Sequence, residues 1–317
     1  MFQVKRISFT LFAIAIICIT SQFAAAQLRL PRPSPKASVM QTVGVTDITI
    51  SYNRPAVKGR KIWGDAPADA KGETTLDNQN TRPAGMAIVP YGHVWRTGAN
   101  EATQFVTTDD VLINGSPLPA GSYSLHTVPG KDEWTIVFNG TANQWGSFNY
   151  DATKDTLRVK AKPQTVADSQ EWLAFDLEPG AENSAIATIR WEKVAVPFTV
   201  EVKDMVGLTL AKARTAVAGA KADDWQTPFG AANYAKQNKA DADAAKWYEQ
   251  TLKVVDAQVA AKATFQTLSR RSSVLLAMGK KEEALAAAEK AVEQGKAEKV
   301  DTSAVEKRIA DIKAGKN

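Results

Sequence analysis

The sequence predicts a two-part fold: an antiparallel β-sandwich or jelly-roll-like domain, then an all-α domain of helical hairpins. Three observations lead there. Between residues 37 and 202 the apolar side chains recur with period two in about nine or ten short runs, with no helical run between them. Asn114-Gly115 and Asn139-Gly140 punctuate those runs with dipeptides that tolerate the positive φ of tight hairpin turns. Past 203–208 the period lengthens to that of a helix, alanine dominates, and Pro228 is the one remaining proline. A chain of 317 residues fits two domains on a prior of about 150 residues each.

The N-terminus reads as a cleavable signal peptide over residues 1–26. Lys5 and Arg6 precede an apolar run at 11–19, and Ala24-Ala25-Ala26 supplies the small residues of a cleavage site. The run is shorter than the ~20 residues a spanning helix needs, so no transmembrane segment is expected after cleavage. The expected location is the periplasm or the exterior. Cleavage removes Cys18, the only cysteine, and with it any disulfide, thiol nucleophile or thiolate metal ligand. With 39 basic and 34 acidic residues the charge is +5, and the signal peptide carries off two of the cations. So small an excess is no nucleic-acid footprint.

In chain order, residues 27–36 form a proline-rich extended leader. The sandwich domain then spans 37–202. Its first hairpin alternates Val39, Gln41 and Val43, then Ile48 and Ile50, and stops at Arg54-Pro55. Lys58-Gly59-Arg60-Lys61 is a basic turn. Residues 65–85 hold almost no large apolar side chain and read as an inserted flexible loop, either disordered or a lid. Strands follow at 104–107, 111–113, 122–128, 134–138, 156–162, 171–177, 185–191 and 194–202. Between them, 145–150 (WGSFNY) places aromatics in a loop, where they could stack a sugar or cap a pocket. Residues 203–208 read as a linker and 209–317 as the helical domain. There Ala284, Ala288 and Ala291 have the spacing of a tetratricopeptide second helix, weakly echoed by Ala244, Tyr248 and Thr251. A capping box is expected at Ser303 and Glu306.

The densest unusual run is 89–103, VPYGHVWRTGANEAT. A rigid polar turn between strands is where a β scaffold carries function. Arg96 and Glu101 either form an ion pair that braces the turn, or Arg96 offers a planar fork to an anion while Asn100 and Glu101 orient its other groups. Arg54 and Arg60 are expected near the mouth of the same site, with His126 beside it. No metal site and no cofactor are predicted, since His93 and His126 are too few and ill-spaced, and no glycine-rich phosphate loop, G-x-S-x-G or H-E-x-x-H is present.

The order PSPKASVMQTVGVTDITISYNRPAVKGRKIWG, VPYGHVWRTGANEAT, LPAGSYSLHTVPGKDEWTIVFN and LRVKAKP resembles an exported bacterial family catalogued as domain of unknown function 2911, over roughly 33–202. The resemblance implies a β-rich exported domain, sometimes followed by helical hairpins. It implies no activity.

Three function classes stay open. The leading expectation is an exported module binding a polar or anionic small molecule or glycan at the WRTGANE turn. A scaffold that holds a protein partner through its C-terminal helices is the second. The third is a glycan-directed hydrolase using Glu101, which needs a second carboxylate about 5–10 Å away.

Overall fold

A computed structural model of the chain describes residues 30–68, 70, 75–76 and 85–316. The signal peptide assigned to 1–26, the start of the leader and most of the 65–85 loop lie outside the described residues.

Twelve strands precede six helices among the described residues. The strands are β1 (Lys36–Val43), β2 (Thr46–Asn53), β3 (Trp63–Gly64), β4 (Val89–Pro90), β5 (Thr103–Thr107), β6 (Val111–Ile113), β7 (Ser116–Leu118), β8 (Gly121–Val128), β9 (Trp134–Asn139), β10 (Asp155–Ala161), β11 (Gln164–Pro179) and β12 (Ser184–Glu201). A six-stranded sheet runs β1-β2-β5-β8-β9-β10 and a four-stranded sheet β11-β12-β6-β7, both antiparallel. β3 and β4 form a short parallel pair. The two expected strands at 185–191 and 194–202 are one. β12 continues across Glu192, whose left-handed φ of 54° marks a bulge that re-aims the strand without ending it.

Alternation puts the core between the sheets. Ile48 and Ile50 of β2, Phe105 of β5, Leu125 of β8, and Ile136 and Phe138 of β9 meet Leu173, Phe175, Ile189, Phe198 and Val200 of the smaller sheet. Burying each such side chain contributes about 1.5–3 kcal/mol. At one end of this core Trp63, Trp95, Trp134 and Trp191 touch one another. Trp95 and Trp191 are stacked at 5.7 Å, and Trp63 sits edge-on to the other three at 5.1–5.8 Å. The outer face of the larger sheet carries the intervening residues, among them Ser51, Asn53, Gln104, Ser124 and His126.

The helices are α1 (Met205–Ala218), α2 (Gln226–Gln237), α3 (Asp241–Ala261), α4 (Phe265–Ala277), α5 (Lys281–Glu298) and α6 (Ser303–Lys313). α1 begins at Met205, inside the stretch read as a linker, because the Asp204 carboxylate accepts from the Gly207 amide at 2.8 Å and caps it. Met205 and Leu208 pack on the sandwich core, and Lys212 Nζ reaches Asp109 at 2.6 Å and the Val45 carbonyl at 2.7 Å. The helical part is therefore docked on the sandwich by its first helix. Ala244, Tyr248 and Thr251 of α3 and Ala284, Ala288 and Ala291 of α5 are all buried. The capping box expected at Ser303 and Glu306 does not form: Thr302 stands at the cap without a side-chain cap hydrogen bond, and its hydroxyl donates to Glu306 at 3.0 Å.

Candidate functional site

The run 93–103 is held in shape by backbone that few sequences accept. Thr97 and Asn100 both adopt left-handed φ, 54° and 59°. Gly98 does not. It is required because an added Cβ would stand 3.0 Å from the Asn53 carbonyl oxygen, so this turn is pressed against the end of β2. Trp95 pairs with Thr127 of β8 through both backbone hydrogen bonds, at 2.8 and 2.9 Å. Thr97 Oγ1 hydrogen-bonds the Thr127 hydroxyl at 3.1 Å. Glu101 bridges to Trp145, the Ala102 amide donates to the Gln144 carbonyl, and the Gly146 amide donates to the Asn100 carbonyl. The polar turn and the aromatic loop 145–150 are thus zipped together into one surface.

Their junction walls an open cleft of about 310 Å³ on the outer face of the larger sheet. Strand alternation supplies its floor: Lys36 of β1, Ser51 and Asn53 of β2, and Gln104 of β5. Glu101, Ala102, Asn143, Gln144 and Trp145 form its side. Trp145 is 56% exposed, and Phe148 of the same loop is 46% exposed. By contrast Trp95, Trp134 and Trp191 of the same domain are buried.

Arg32 of the leader lies against this cleft. Its Nη1 donates to both oxygens of Glu101, at 2.7 and 2.8 Å, and its guanidinium carbon sits 6.0 Å from the Trp145 ring centre. Asn53 Nδ2 donates to Glu101 Oε2 at 3.0 Å. Burial pushes the Glu101 carboxyl up, but the hydrogen bonds from Arg32, the backbone and Asn53 outweigh it and leave its pKa below the ordinary value. Asn53 Oδ1 and Gln144 Oε1 are buried acceptors with no hydrogen-bond partner among the described residues. Both amides are oriented by their nitrogens, toward Glu101 and toward the Thr141 carbonyl, so both oxygens are true acceptors.

Of the six residues expected at the site, Glu101 alone lines this cleft. Arg96 is 8% exposed; its Nη1 donates to the Asn100 carbonyl at 2.8 Å and its guanidinium lies 5.6 Å from the Phe148 ring centre. It braces the two loops from beneath and offers no open fork. Asn100 holds the leader, its Nδ2 donating to the Ser34 carbonyl at 3.3 Å. Arg54 Nε donates to the Leu173 carbonyl of the other sheet, and Arg60 donates to the carbonyls of Ala56 and Val57 in its own turn. Neither Arg54 nor Arg60 lines the cleft; carbonyls of β11 and of the 56–60 turn accept from them.

His126 is fully buried under the aromatic loop. Its Nε2 hydrogen-bonds Ser124 Oγ at 3.1 Å, and its ring lies 5.1 Å from that of Tyr150. Burial above all, and then the nearby Arg96 cation, lower its pKa to about 4, so the imidazole is neutral at neutral pH. Nδ1 has no partner in hydrogen-bond geometry among the described residues, so the Trp95 backbone opposes that shift only as a near neighbour. The same Ser124 hydroxyl accepts from Gln144 Nε2 at 2.9 Å, which links His126 to the cleft wall through one serine.

The polar residues missing from the sequence reading of the site are Arg32, Lys36, Ser51, Asn53, Gln104, Asn143 and Gln144. Period-two alternation could have placed Asn53 and Gln104 on one outer face; nothing local signals Arg32. Among the described residues, no group of three or more His, Cys, Asp or Glu side chains gathers as metal ligands would. The described cleft lining also carries no second carboxylate and no histidine to face Glu101, which a two-carboxylate hydrolase requires.

The family described as protein of unknown function (DUF2911) matches residues 34–200, more than half of the chain. The chain belongs to this family. All the cleft-lining residues lie inside the DUF2911 match, whereas Arg32 lies just ahead of it and the six helices beyond it. Neither the comparison with curated proteins nor that with solved structures gives a match.

Proposed function

We propose that this DUF2911 protein is an exported binding module whose ligand, a glycan or similar polar small molecule, lies in the cleft against Trp145. The observation that carries the reading is an exposed indole at the wall of an open cleft whose polar lining is a carboxylate, amides, a hydroxyl and the Lys36 ammonium. Sugars present one apolar ring face and a rim of hydroxyls, and an indole with flanking acceptors complements both. Burial of Arg96 removes the motive for an anionic ligand, so the reading narrows to neutral or cationic ones. Export is supported by the charged and apolar pattern of residues 1–26. No helix of the described residues is long and apolar enough to cross a membrane.

Calorimetric titration of a panel of oligosaccharides into the wild type and the Trp145→Ala variant tests the reading. Loss of the indole face is expected to weaken binding by about tenfold or more. Equal affinity of the two proteins, or no binding across the panel, would remove the glycan reading.

A second reading concerns the helices. A groove lined by Lys236, Ser273, Leu276, Ala277, Gly279, Lys281 and Arg308 carries three cations and no carboxylate. It would suit an acidic segment of a protein partner, in keeping with tetratricopeptide-like hairpins.

A further inference from the structure

We infer that the Glu101 corner of the cleft is a cation subsite, and that Arg32 is its built-in occupant, displaced by a ligand that carries a protonated amine. The inference rests on the glycan reading of the cleft and specifies its ligand as an amino-bearing saccharide.

Three features argue for it. First, Arg32 meets Glu101 as a ligand cation would: two charge-assisted hydrogen bonds below 2.9 Å from one nitrogen, with the guanidinium beside an exposed indole. Yet both side chains keep close to half their surface in water, 49% and 45%, and an ion pair so exposed adds little stability. Arg32 can leave at small cost. Second, the leader is anchored on the C-terminal side of Arg32. Asn100 Nδ2 holds the Ser34 carbonyl and the Arg54 amide holds the Pro35 carbonyl, immediately before β1 begins at Lys36. Arg32 can therefore swing away about this anchor while β1 stays paired. Third, the group left behind is an acceptor, the Glu101 carboxylate, held in place by the Asn53 Nδ2 donor at 3.0 Å. Lys36 is the one cation among the described cleft-lining residues. With Arg32 displaced, Glu101 loses its ion-pair contact, and a ligand ammonium can replace that contact whereas a neutral ring cannot.

The test compares two tetrasaccharides of the same skeleton, β-linked glucosamine with free amines and its N-acetylated counterpart, at a pH where the amines are protonated. Each is titrated calorimetrically into the wild type, Arg32→Ala and Arg32→Ala/Glu101→Gln, with arginine amide as a sugar-free cation. Circular dichroism verifies that the variants are folded. Arg32→Ala is expected to bind the free-amine form about tenfold tighter than the wild type does. Its affinity for the acetylated form should stay within about threefold. Glu101→Gln in that background should abolish the preference for the amine.

An equal gain for both tetrasaccharides, a free-amine form that binds without gain, or no binding of any probe to Arg32→Ala overturns the inference. The two readings fail separately. Acetylated ligand bound alike by wild type and variant, with no amine preference, keeps the glycan site and sinks the cation subsite. Arginine amide bound in a Glu101-dependent way while neither saccharide binds keeps the subsite and sinks the glycan.

Discussion

Glu101 takes its ion pair from Arg32, 69 residues earlier in the chain, at 2.7 Å, while its close neighbour Arg96 gives Nη1 to the Asn100 carbonyl. That division of labour separates a solvent-facing contact from a buried brace. The two arginines should respond to mutation very differently in size.

Arg96→Ala removes a guanidinium that is 8% exposed, frees the Asn100 carbonyl of one donor and leaves Phe148 without its cation. The expected cost is about 2–3 kcal/mol, read as a lower midpoint in urea. Arg32→Ala should shift the same midpoint by well under about 1 kcal/mol. Because the Arg96 cation holds the His126 pKa down, Arg96→Ala should also raise that pKa in an NMR titration. An unchanged His126 titration would show that Arg96 does not act on it.

Stability should fall as pH drops from about 6.5 toward 4. Unfolded histidine takes a proton below its ordinary value near 6.5, whereas folded His126 stays neutral down to about 4. Through that window the unfolded state binds the extra proton, so unfolding is favoured by up to about 3 kcal/mol. The depressed carboxyls of Glu101 and Asp109 begin to lose their contribution from about pH 5 downward, and they do so in the wild type and the variant alike. Urea midpoints at stepped pH for the wild type and His126→Gln check this: the variant's curve should be flatter between 6.5 and 4, and parallel curves would contradict the assignment.

The four-tryptophan cluster should give a far-ultraviolet exciton couplet, strongest from the stacked pair Trp95 and Trp191. Trp95→Phe should remove most of it while the fold persists. Trp134→Ala, at a site 1% exposed, should cost about 3–5 kcal/mol. A couplet that survives Trp95→Phe would place its origin elsewhere.

Gly44 has a φ of 61°, and a Cβ added there would run into the Met205 side chain at the start of α1. Gly44→Ala should cost about 1–2 kcal/mol and loosen the docked helix. Gly44→Asn accepts the backbone angle better but not the crowding. Faster amide hydrogen exchange in α1 for both variants is the expected result. Exchange unchanged in both would mean that Lys212 and Leu208 suffice to hold the helix.

The sandwich and the helices are legible in the sequence because alternation and 3.6-residue periodicity report burial directly, as Ile48 and Ile50 or Ala284 and Ala288 do. The continuity of β12 across Glu192 is not, since a bulge interrupts alternation just as a turn does. At the site, the polar turn and the aromatic loop stand out by composition, but their zipping through Glu101 and Trp145 is a tertiary contact. The cleft lining leaves out Arg54 and Arg60 for a reason charge alone does not announce: a guanidinium can also be taken up by backbone carbonyls, as both are here. Arg32 is hidden because its contact closes a long loop with no local pattern to announce it.

The site's placement is tested most directly by the indole N–H signal of Trp145 in a nitrogen-15 NMR spectrum, assigned by its loss in Trp145→Phe, while glycans are titrated. This exposed indole is expected to shift saturably, and those of the buried Trp95, Trp134 and Trp191 are expected to stay in place. A Trp145 signal that stays fixed while another tryptophan responds, or while a glycan demonstrably binds, would contradict the placement of the site in this cleft.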